Sequence, residues 1–500
     1  MPTLAVSLRH TYRLIPALHR EGVLVLLSGV ATCPGLFYPT TAADGVLSRI
    51  RIPGGMINSK QFRAIADIAI NYGGGYIDVT NRANLQIREI HTGINTQVLK
   101  HLQNLELGSH DTGVDHIRNI MASPTAGIDC QELIDTRPFV KSWDNYIANH
   151  PELSELPAKF SVGFDGGGTV SIGDRLNDIA FVAVLVAGNI YFRLHLTIGE
   201  KSKPPVDMEI VFPPEKCLSV LAALADVYLA HINTSSKPKL RLRELLNSLG
   251  WENYLREVEQ RLPVSLLRCD TKEHLLHQEY QHIGIHPQRQ QNLFYIGIVL
   301  PLGRLETQQI HGLADLAEKY GSGTLRLTPW QNLLLTDIPQ EQVTHVQSKI
   351  TDLGLDFSVN NIKSALVACS GTTGCAAAAT DTKNHALQLA QYLANRVTLN
   401  RPVNIHFSGC EKSCAQHSKS DIALLGVNQA EETYHVYVGD SNQKFGHQLY
   451  QNVKFAELPA LIEQMLQLYK IYRLNPNESF GEFANRYTFA QLKQLGTSKN

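Results

Sequence analysis

The stretch RIPGGMINSKQFRAIADIAINYGGGYIDVTNRANLQIREI, residues 51–90, recurs as VLPLGRLETQQIHGLADLAEKYGSGTLRLTPWQNLLLTDI, residues 299–338, at a constant offset of 248. Pro53 pairs with Pro301, Gly55 with Gly303, Tyr72-Gly73 with Tyr320-Gly321, Thr80 with Thr328 and Asn84-Leu85 with Asn332-Leu333. So many identities at one offset mark a duplicated domain, and two copies are too few for a solenoid. Each copy reads strand, turn, helix, strand, strand. Ser59 and Thr307 are the expected helix N-caps. Ile65, Ile68 and Ala69 share one helix face, as do Leu313, Leu316 and Ala317. Gly73-Gly74-Gly75 and Gly321-Ser322-Gly323 end the helices, where glycine tolerates left-handed angles. The segments YIDVT/LQIREI and TLRLT/LLLTDI alternate as half-buried strands do.

A fainter repeat lies outside these copies. RNIMASPTAGIDC and LPAKFSVGFDGGG, in the first half, stand where two cysteine-bearing loops stand in the second. Helical runs are expected at 214–231, 239–262, 384–396 and 454–473. Strands are expected at 160–164, 179–186, 190–196, 403–407, 422–427 and 435–438. The chain therefore reads as an α+β protein of two related halves. Its expected division is a leader at 1–42, a half-domain at 43–110, a larger domain at 111–285, the second half-domain at 286–355, its larger partner at 356–485 and a tail at 486–500.

Composition narrows the function classes. The 500 residues are 43% hydrophobic and 18% charged, with a formal net charge of -1, an ordinary globular balance that argues against non-specific nucleic-acid binding. No apolar run reaches bilayer-spanning length, so no membrane role is expected. The segment from His19 to Ala31 loosely mimics a signal peptide and reads instead as a leader. Eight cysteines are too few for a disulfide scaffold, and thiolate ligands need a reducing compartment, which points to the cytoplasm.

Four of those cysteines carry the chemistry: Cys369 and Cys375 in ACSGTTGC, and Cys410 and Cys414 in SGCEKSC. Each pair follows an apolar strand-like run, so two loops can face each other with four thiolates. Such a set holds an iron–sulfur cluster or zinc. The five residues between the first pair suit a structural zinc site poorly. Small neighbours such as Gly371, Gly374, Ser408 and Gly409 let backbone amides approach the sulfurs. Cys33, Cys130, Cys217 and Cys269 lack metal-like spacing and read as plain buried thiols.

Cys-x5-Cys followed by Cys-x3-Cys resembles the cluster signature of the siroheme-dependent nitrite and sulfite reductases, a family that also includes precorrin-3B synthase. The resemblance runs from about Cys33 to Phe483. It implies a duplicated nitrite/sulfite reductase fold: two ferredoxin-like half-domains plus two α/β domains about a pseudo-two-fold axis, with a tetrapyrrole between the halves. Cys369, Cys375, Cys410 and Cys414 would then bind one 4Fe–4S cluster, and Cys414 would bridge to siroheme iron where siroheme is present. VTNRANLQIRE resembles the Thr-x-Arg-x-x-x-Gln turn, which assigns substrate-facing and cofactor-binding roles to Arg82 and Gln86; Arg88 follows as a further cofactor contact. GVDHIRNI resembles Asp-x-x-Arg-Asn and puts Arg118 in the active site. LPAKFSVGF resembles Leu-Pro-x-Lys-Phe and adds Lys159. Fixed cations suit anionic substrates and tetrapyrrole carboxylates, whereas Arg137 reads equally as a surface charge. Ser161 stands where the reductases carry a second Lys or Asn donor.

Within the family, CPGLFYPTTAADGVLSRIRIPGG, ACSGTTGCAAAATDTK and SGCEKSCAQHS resemble the precorrin-3B synthase branch, while KPKLRLRELLNSLGWENYLREV and NDIAFV look equally like nitrite reductase. The resemblance thus implies a monooxygenase that hydroxylates precorrin-3A in cobalamin biosynthesis. The alternative is a siroheme nitrite or sulfite reductase fed by ferredoxin or another reductase, and a third reading is a tetrapyrrole or cluster carrier. His406 and His417 are candidate ligands for a non-heme iron in the oxygenase reading.

Overall fold

The structure is a computed structural model that describes residues 35–492 apart from 201–202, 233–238, 264, 271–279, 429, 442 and 489. Cys33, most of the expected leader and residues 493–500 of the expected tail lie outside the described residues.

Each duplicated copy contributes to a five-stranded sheet, and neither sheet belongs to one copy alone. The first runs Thr40–Ala42, Gly45–Ile50, Leu85–Ile90, Tyr76–Val79, Arg304–Glu306; the second runs Gly284–Pro287, Leu293–Ile298, Leu333–Pro339, Thr324–Leu327, Met56–Asn58. The edge strands are exchanged. Arg304 and Glu306 pair antiparallel with Asp78 and Tyr76, while Met56 and Asn58 pair with Arg326 and Thr324, the same register displaced by the repeat offset. The paired glycines permit the crossing: a Cβ on Gly55 would meet the Leu327 carbonyl at 2.6 Å, and one on Gly303 the Val79 carbonyl at 2.9 Å. Helices Ser59–Tyr72 and Thr307–Tyr320 lie against each other, bridged by Arg63 to Asp315 and Glu318 at 2.6 Å each. A single hydrophobic core spans both copies.

Local chemistry corrects two expectations. The helix caps are Asn58 and Glu306, one residue before Ser59 and Thr307. Asn58 Oδ1 accepts from the Gln61 amide at 2.8 Å, while Gln61 and Gln309 return bonds to the Asn58 and Glu306 amides at 3.0 Å, the reciprocal capping arrangement. Left-handed angles occur at Gly75 and Gly323. Gly73 is extended, and it is glycine because a Cβ would meet the Arg88 carbonyl at 2.7 Å.

The faint repeat is a repeat of topology. Strands Ile120–Ala122, Val162–Asp165 and Ile179–Val186 run parallel and continue antiparallel into Asn189–Leu196 and Val206–Phe212. Strands Leu366–Ala368, Ile405–Ser408 and Ile422–Asn428 likewise run parallel and continue into Thr433–Val438 and His447–Lys454. Two elements depart from the sequence pattern. The run 239–262 divides at Gly250, whose φ of 85° ends Leu242–Leu249 before Trp251–Glu259 begins. The helix expected from 454 starts at Leu458, because the preceding residues pair as an edge strand.

Asp78 ties the exchanged strand to the second α/β domain, accepting from Arg304 Nε at 2.9 Å and Lys383 Nζ at 2.8 Å. Burial alone would raise its carboxyl, but the Lys383 and Arg304 charges hold it at about 2, against an ordinary 3.8. A depressed folded-state value stabilises fully above the unfolded value and is lost as pH falls through the folded one. Asp78→Ala should therefore cost about 3 kcal/mol at neutral pH, because two half-buried cations lose their shared buried partner. In denaturation midpoints the gap from the parent should narrow as pH drops from about 4 toward 2.

Candidate functional site

The identities shared by the two copies build a turn. In the first, the Thr80 amide donates to the Asn84 carbonyl at 2.9 Å, the Asn84 amide to Thr80 Oγ1 at 3.1 Å, and Asn84 Oδ1 accepts from the Ile52 amide at 2.8 Å. Thr328, Asn332 and Leu300 repeat the set at 2.9, 3.0 and 3.0 Å. The same scaffold thus presents Arg82 from one half and Trp330 from the other, and both line one large cavity between the halves. Three neutral acceptors fix Arg82: Asn119 Oδ1 at 2.8 Å, the Leu176 carbonyl at 2.5 Å and Asn177 Oδ1 at 2.6 Å. Asn81 of the same turn donates to the Cys414 carbonyl at 3.2 Å, joining the arginine turn to the cysteine loop.

The two cysteine loops leave adjacent parallel strands at the same end. The Cys369 amide donates to the Phe407 carbonyl at 3.2 Å, and the Ala379 amide to the Gly409 carbonyl at 2.7 Å. The Gly409 amide points at Cys369 Sγ at 3.2 Å. All four thiols are free. Burial first, then Cys410, Cys369 and Cys375, push the Cys414 thiol up, while Lys159 pulls it down; the five groups share one electrostatic neighbourhood. Among the described residues no three His, Cys, Asp or Glu side chains close to the spacing of a single metal ion. A four-iron cluster holds each thiolate on its own iron and needs a wider set.

The cavity holds about 1510 Å³, larger than a common small-ligand pocket. Both halves contribute cations to it, among them Arg49, Arg82, Lys159, Arg241, Lys363 and Arg401. Of the four loop cysteines, Cys414 is the one on its wall among the described residues. Ser161 also reaches the wall, where its hydroxyl donates to Asp178 at 3.3 Å; Asp178 in turn accepts from Arg241 at 2.8 and 3.0 Å. Elsewhere on the wall His282 stacks on Trp330 with ring centroids 4.3 Å apart, and Arg175 lies 5.1 Å from the same ring.

Several expected site residues stand elsewhere. Arg118 does not join Arg82 and Lys159. It is buried, bonded to Asp144 at 2.8 and 3.0 Å and 3.5 Å from Asp115, because a guanidinium taken from water needs carboxylate partners. Gln86 is off the cavity beside Arg49, a cation that does line it; the amide satisfies both groups when its oxygen faces the guanidinium, 2.5 Å from Nη2. Arg88 is buried against Asp44 and the carbonyl of Gly374. Arg137 pairs with Asp135 at 2.8 Å. His406 is buried in its strand, and burial lowers its pKa to about 3; with His417, it has no carboxylate completing a metal site among the described residues. Cys217 is buried as expected, Cys269 is half-buried and Cys130 is exposed. Sequence reasoning passed over Asn119, Asn177, Asp178, Trp330 and His282. The signals were there for some of them: Asn119 closes the Asp-x-x-Arg-Asn motif, Asn177 and Asp178 open the quoted NDIAFV, and Arg241 lies inside the quoted KPKLRLRELL.

Comparison with known proteins agrees with this geometry. The model of the nitrite and sulphite reductase 4Fe-4S domain matches residues 113–266 and 360–497, and that of the nitrite/sulfite reductase ferredoxin-like half domain matches 40–105 and 286–353. The ferredoxin–nitrite reductase of Synechococcus elongatus is 30% identical over 86% of this chain and 88% of its own length. The chloroplastic ferredoxin–nitrite reductase of Zea mays is 32% identical over 78% of this chain and 71% of its own. The solved Mycobacterium tuberculosis NirA protein superposes with a TM-score of 0.77 at 22% identity, covering 89% of this chain and 84% of its own, a likeness of fold. The chain belongs to the nitrite and sulfite reductase family, and it is an oxidoreductase. The paired cysteine loops, with an amide aimed at one sulfur, fit the 4Fe–4S cluster that the matched domain is named for.

Arg118→Ala should cost about 3 kcal/mol, because the buried Asp115 and the half-buried Asp144 lose their shared cation. Lys159→Ala, at an exposed side chain, should leave the melting temperature within a few degrees of the parent. Thermal unfolding of the two variants side by side checks both.

Proposed function

We propose that this chain is a siroheme- and 4Fe–4S-dependent reductase of nitrite that receives its electrons from a ferredoxin-type donor. The observation that carries this reading is the cation-walled cavity that Cys414 lines, with its three companion cysteines close to it and off that wall. The activities in the names of the Synechococcus and maize relatives support nitrite and ferredoxin in particular. A carboxylate-rich tetrapyrrole suits a cavity of this size with arginines from both halves. Cys369, Cys375, Cys410 and Cys414 would hold the cluster, with Cys414 facing the tetrapyrrole. These two groups supply the electron storage and the metal centre for a six-electron reduction.

The chain's own residues do the rest. Arg82, held by three acceptors, offers a fixed positive charge to the oxyanion without reorganising as charge builds. Lys159 Nζ lies on the same wall, where it can hold the anion and hand a proton to an oxygen leaving as water. Asn119 and Asn177 position Arg82, and Asp178 positions Arg241. No helix among the described residues is long and apolar enough to cross a membrane, and four free thiols suit a reducing cytoplasm.

The hydroxylation of precorrin-3A suggested by the loop wording remains the second reading, favoured by one observation. With Arg118 turned into the core and Ser161 bonded to Asp178, the anion site has fewer donors than the sequence motifs imply. A paired assay on one reconstituted preparation decides between them. Nitrite should be consumed with reduced ferredoxin, and Arg82→Ala should lower turnover by about 10²–10³-fold, the usual loss for one preorganised donor. Oxygen-dependent conversion of precorrin-3A without nitrite consumption would install the second reading.

A further inference from the structure

The two halves provide an internal comparison for the cysteine loop. Loop 123–136 takes in the first half the place that loop 369–381 takes in the second, and each is seated on a ferredoxin-like sheet. Loop 123–136 is held by Arg289, which donates to Glu132 at 3.0 Å, by Gln290, which donates to the Gly127 carbonyl at 2.8 Å, and by buried Arg326, whose Nη1 donates to the Pro124 and Ala126 carbonyls at 3.0 and 2.6 Å. There the counterpart of Arg88 is the neutral Thr336, whose hydroxyl donates to Asp337 at 3.0 Å. The cysteine loop is seated on a guanidinium from a different strand: the position of Arg326 is taken there by Asp78, and the cation comes from Arg88 instead. Arg88, with 5% of its side chain exposed, donates from Nη2 to the carbonyl of Gly374, the residue before Cys375, at 2.6 Å. A Cβ on Gly374 would lie 2.6 Å from that nitrogen, so the loop packs directly on the guanidinium. Asp44, in the turn between the first two strands, accepts from the same group at 2.8 and 3.0 Å. The nearby Asp78 is itself balanced by Arg304 and Lys383.

We propose that Arg88 is a positioning residue that anchors the cysteine loop and sets the reduction potential of the cluster, with Asp44 as its counterweight. This rests on the four cysteines being the cluster's ligands. A thiolate-bound cluster is anionic and gains a further negative charge when it takes one electron from the reductant. Arg88 neither gains nor loses a proton in that step, since a guanidinium stays charged. A buried cation against the loop favours the reduced form because the low dielectric barely screens it. Asp44 binds the guanidinium without itself contacting Gly374, so it opposes that effect from farther away.

The sign of the shift separates this role from mere support. The full chain, reconstituted with iron and sulfide, is titrated with dithionite and mediators and followed by electron paramagnetic resonance. Arg88→Gln should lower the reduction equilibrium constant about tenfold, ~59 mV more negative for a one-electron couple. Asp44→Asn should move the midpoint the other way, and Arg88→Lys should fall between parent and Arg88→Gln. Midpoints that stay at the parent value, or that shift in the same direction for Arg88→Gln and Asp44→Asn, overturn the proposal. If Arg88→Gln retains no iron, Asp44→Asn decides alone, and a midpoint at or below the parent overturns it. A parent chain that binds no iron instead fails the ligand assignment, which is a distinct result.

Discussion

Everything at the centre of this protein depends on the exchange of edge strands between two copies of one motif. An open edge presents unpaired backbone donors and acceptors, and here each copy's edge is closed by three residues of the other. The copies therefore fold as one unit over one core. Gly55 and Gly303 are the steric condition for this, since any side chain there would strike the other copy's backbone. The exchange also fixes how the larger domains face each other, because each follows directly from a strand or helix locked in the shared layer.

The duplication then diverges where chemistry is needed. One turn scaffold, built by Thr and Asn in both copies, carries Arg82 in one and Trp330 in the other. One loop position carries cysteines in the second half and a carboxylate-and-amide lattice around Asp129 in the first. A symmetric frame thus encloses an asymmetric cavity, with a cationic turn joined to the Cys414 loop from one copy and the Trp330–His282 aromatic pair from the other.

Arginines show how environment decides role. Arg82, Arg88 and Arg118 are similar in sequence context, each in or beside a strand-end motif. Arg82 is held by amide and carbonyl oxygens at the cavity. Arg88 is turned to a cysteine loop 286 residues away in sequence. Arg118 is sealed by Asp144 and Asp115. Partners make the difference: Asp115 stands three residues before Arg118 in the chain, whereas Asp144, Asp44 and Gly374 lie on other segments that no local spacing reports.

The duplication, the α+β class, the four cysteines and the candidacy of Arg82 and Lys159 were legible in the linear chain, since offset identities, alternating apolar residues and loop spacing are local properties. So was the tie between VTNRANLQIRE and a site, although only Arg82 of its named residues reaches the cavity. The exchange of Met56–Asn58 and Arg304–Glu306 was not, because short edge strands pair as well with one sheet as with another until the whole core forms. Nor were the burial of Arg118, the seating of Arg88 under Gly374, or the recruitment of Asn177, Asp178 and His282. Hydrophobic periodicity is written along the chain, but the partner of a buried charge is chosen by packing between separate segments, 26 residues apart for Arg118 and Asp144 and 305 for Asp78 and Lys383, and only the tertiary structure decides it.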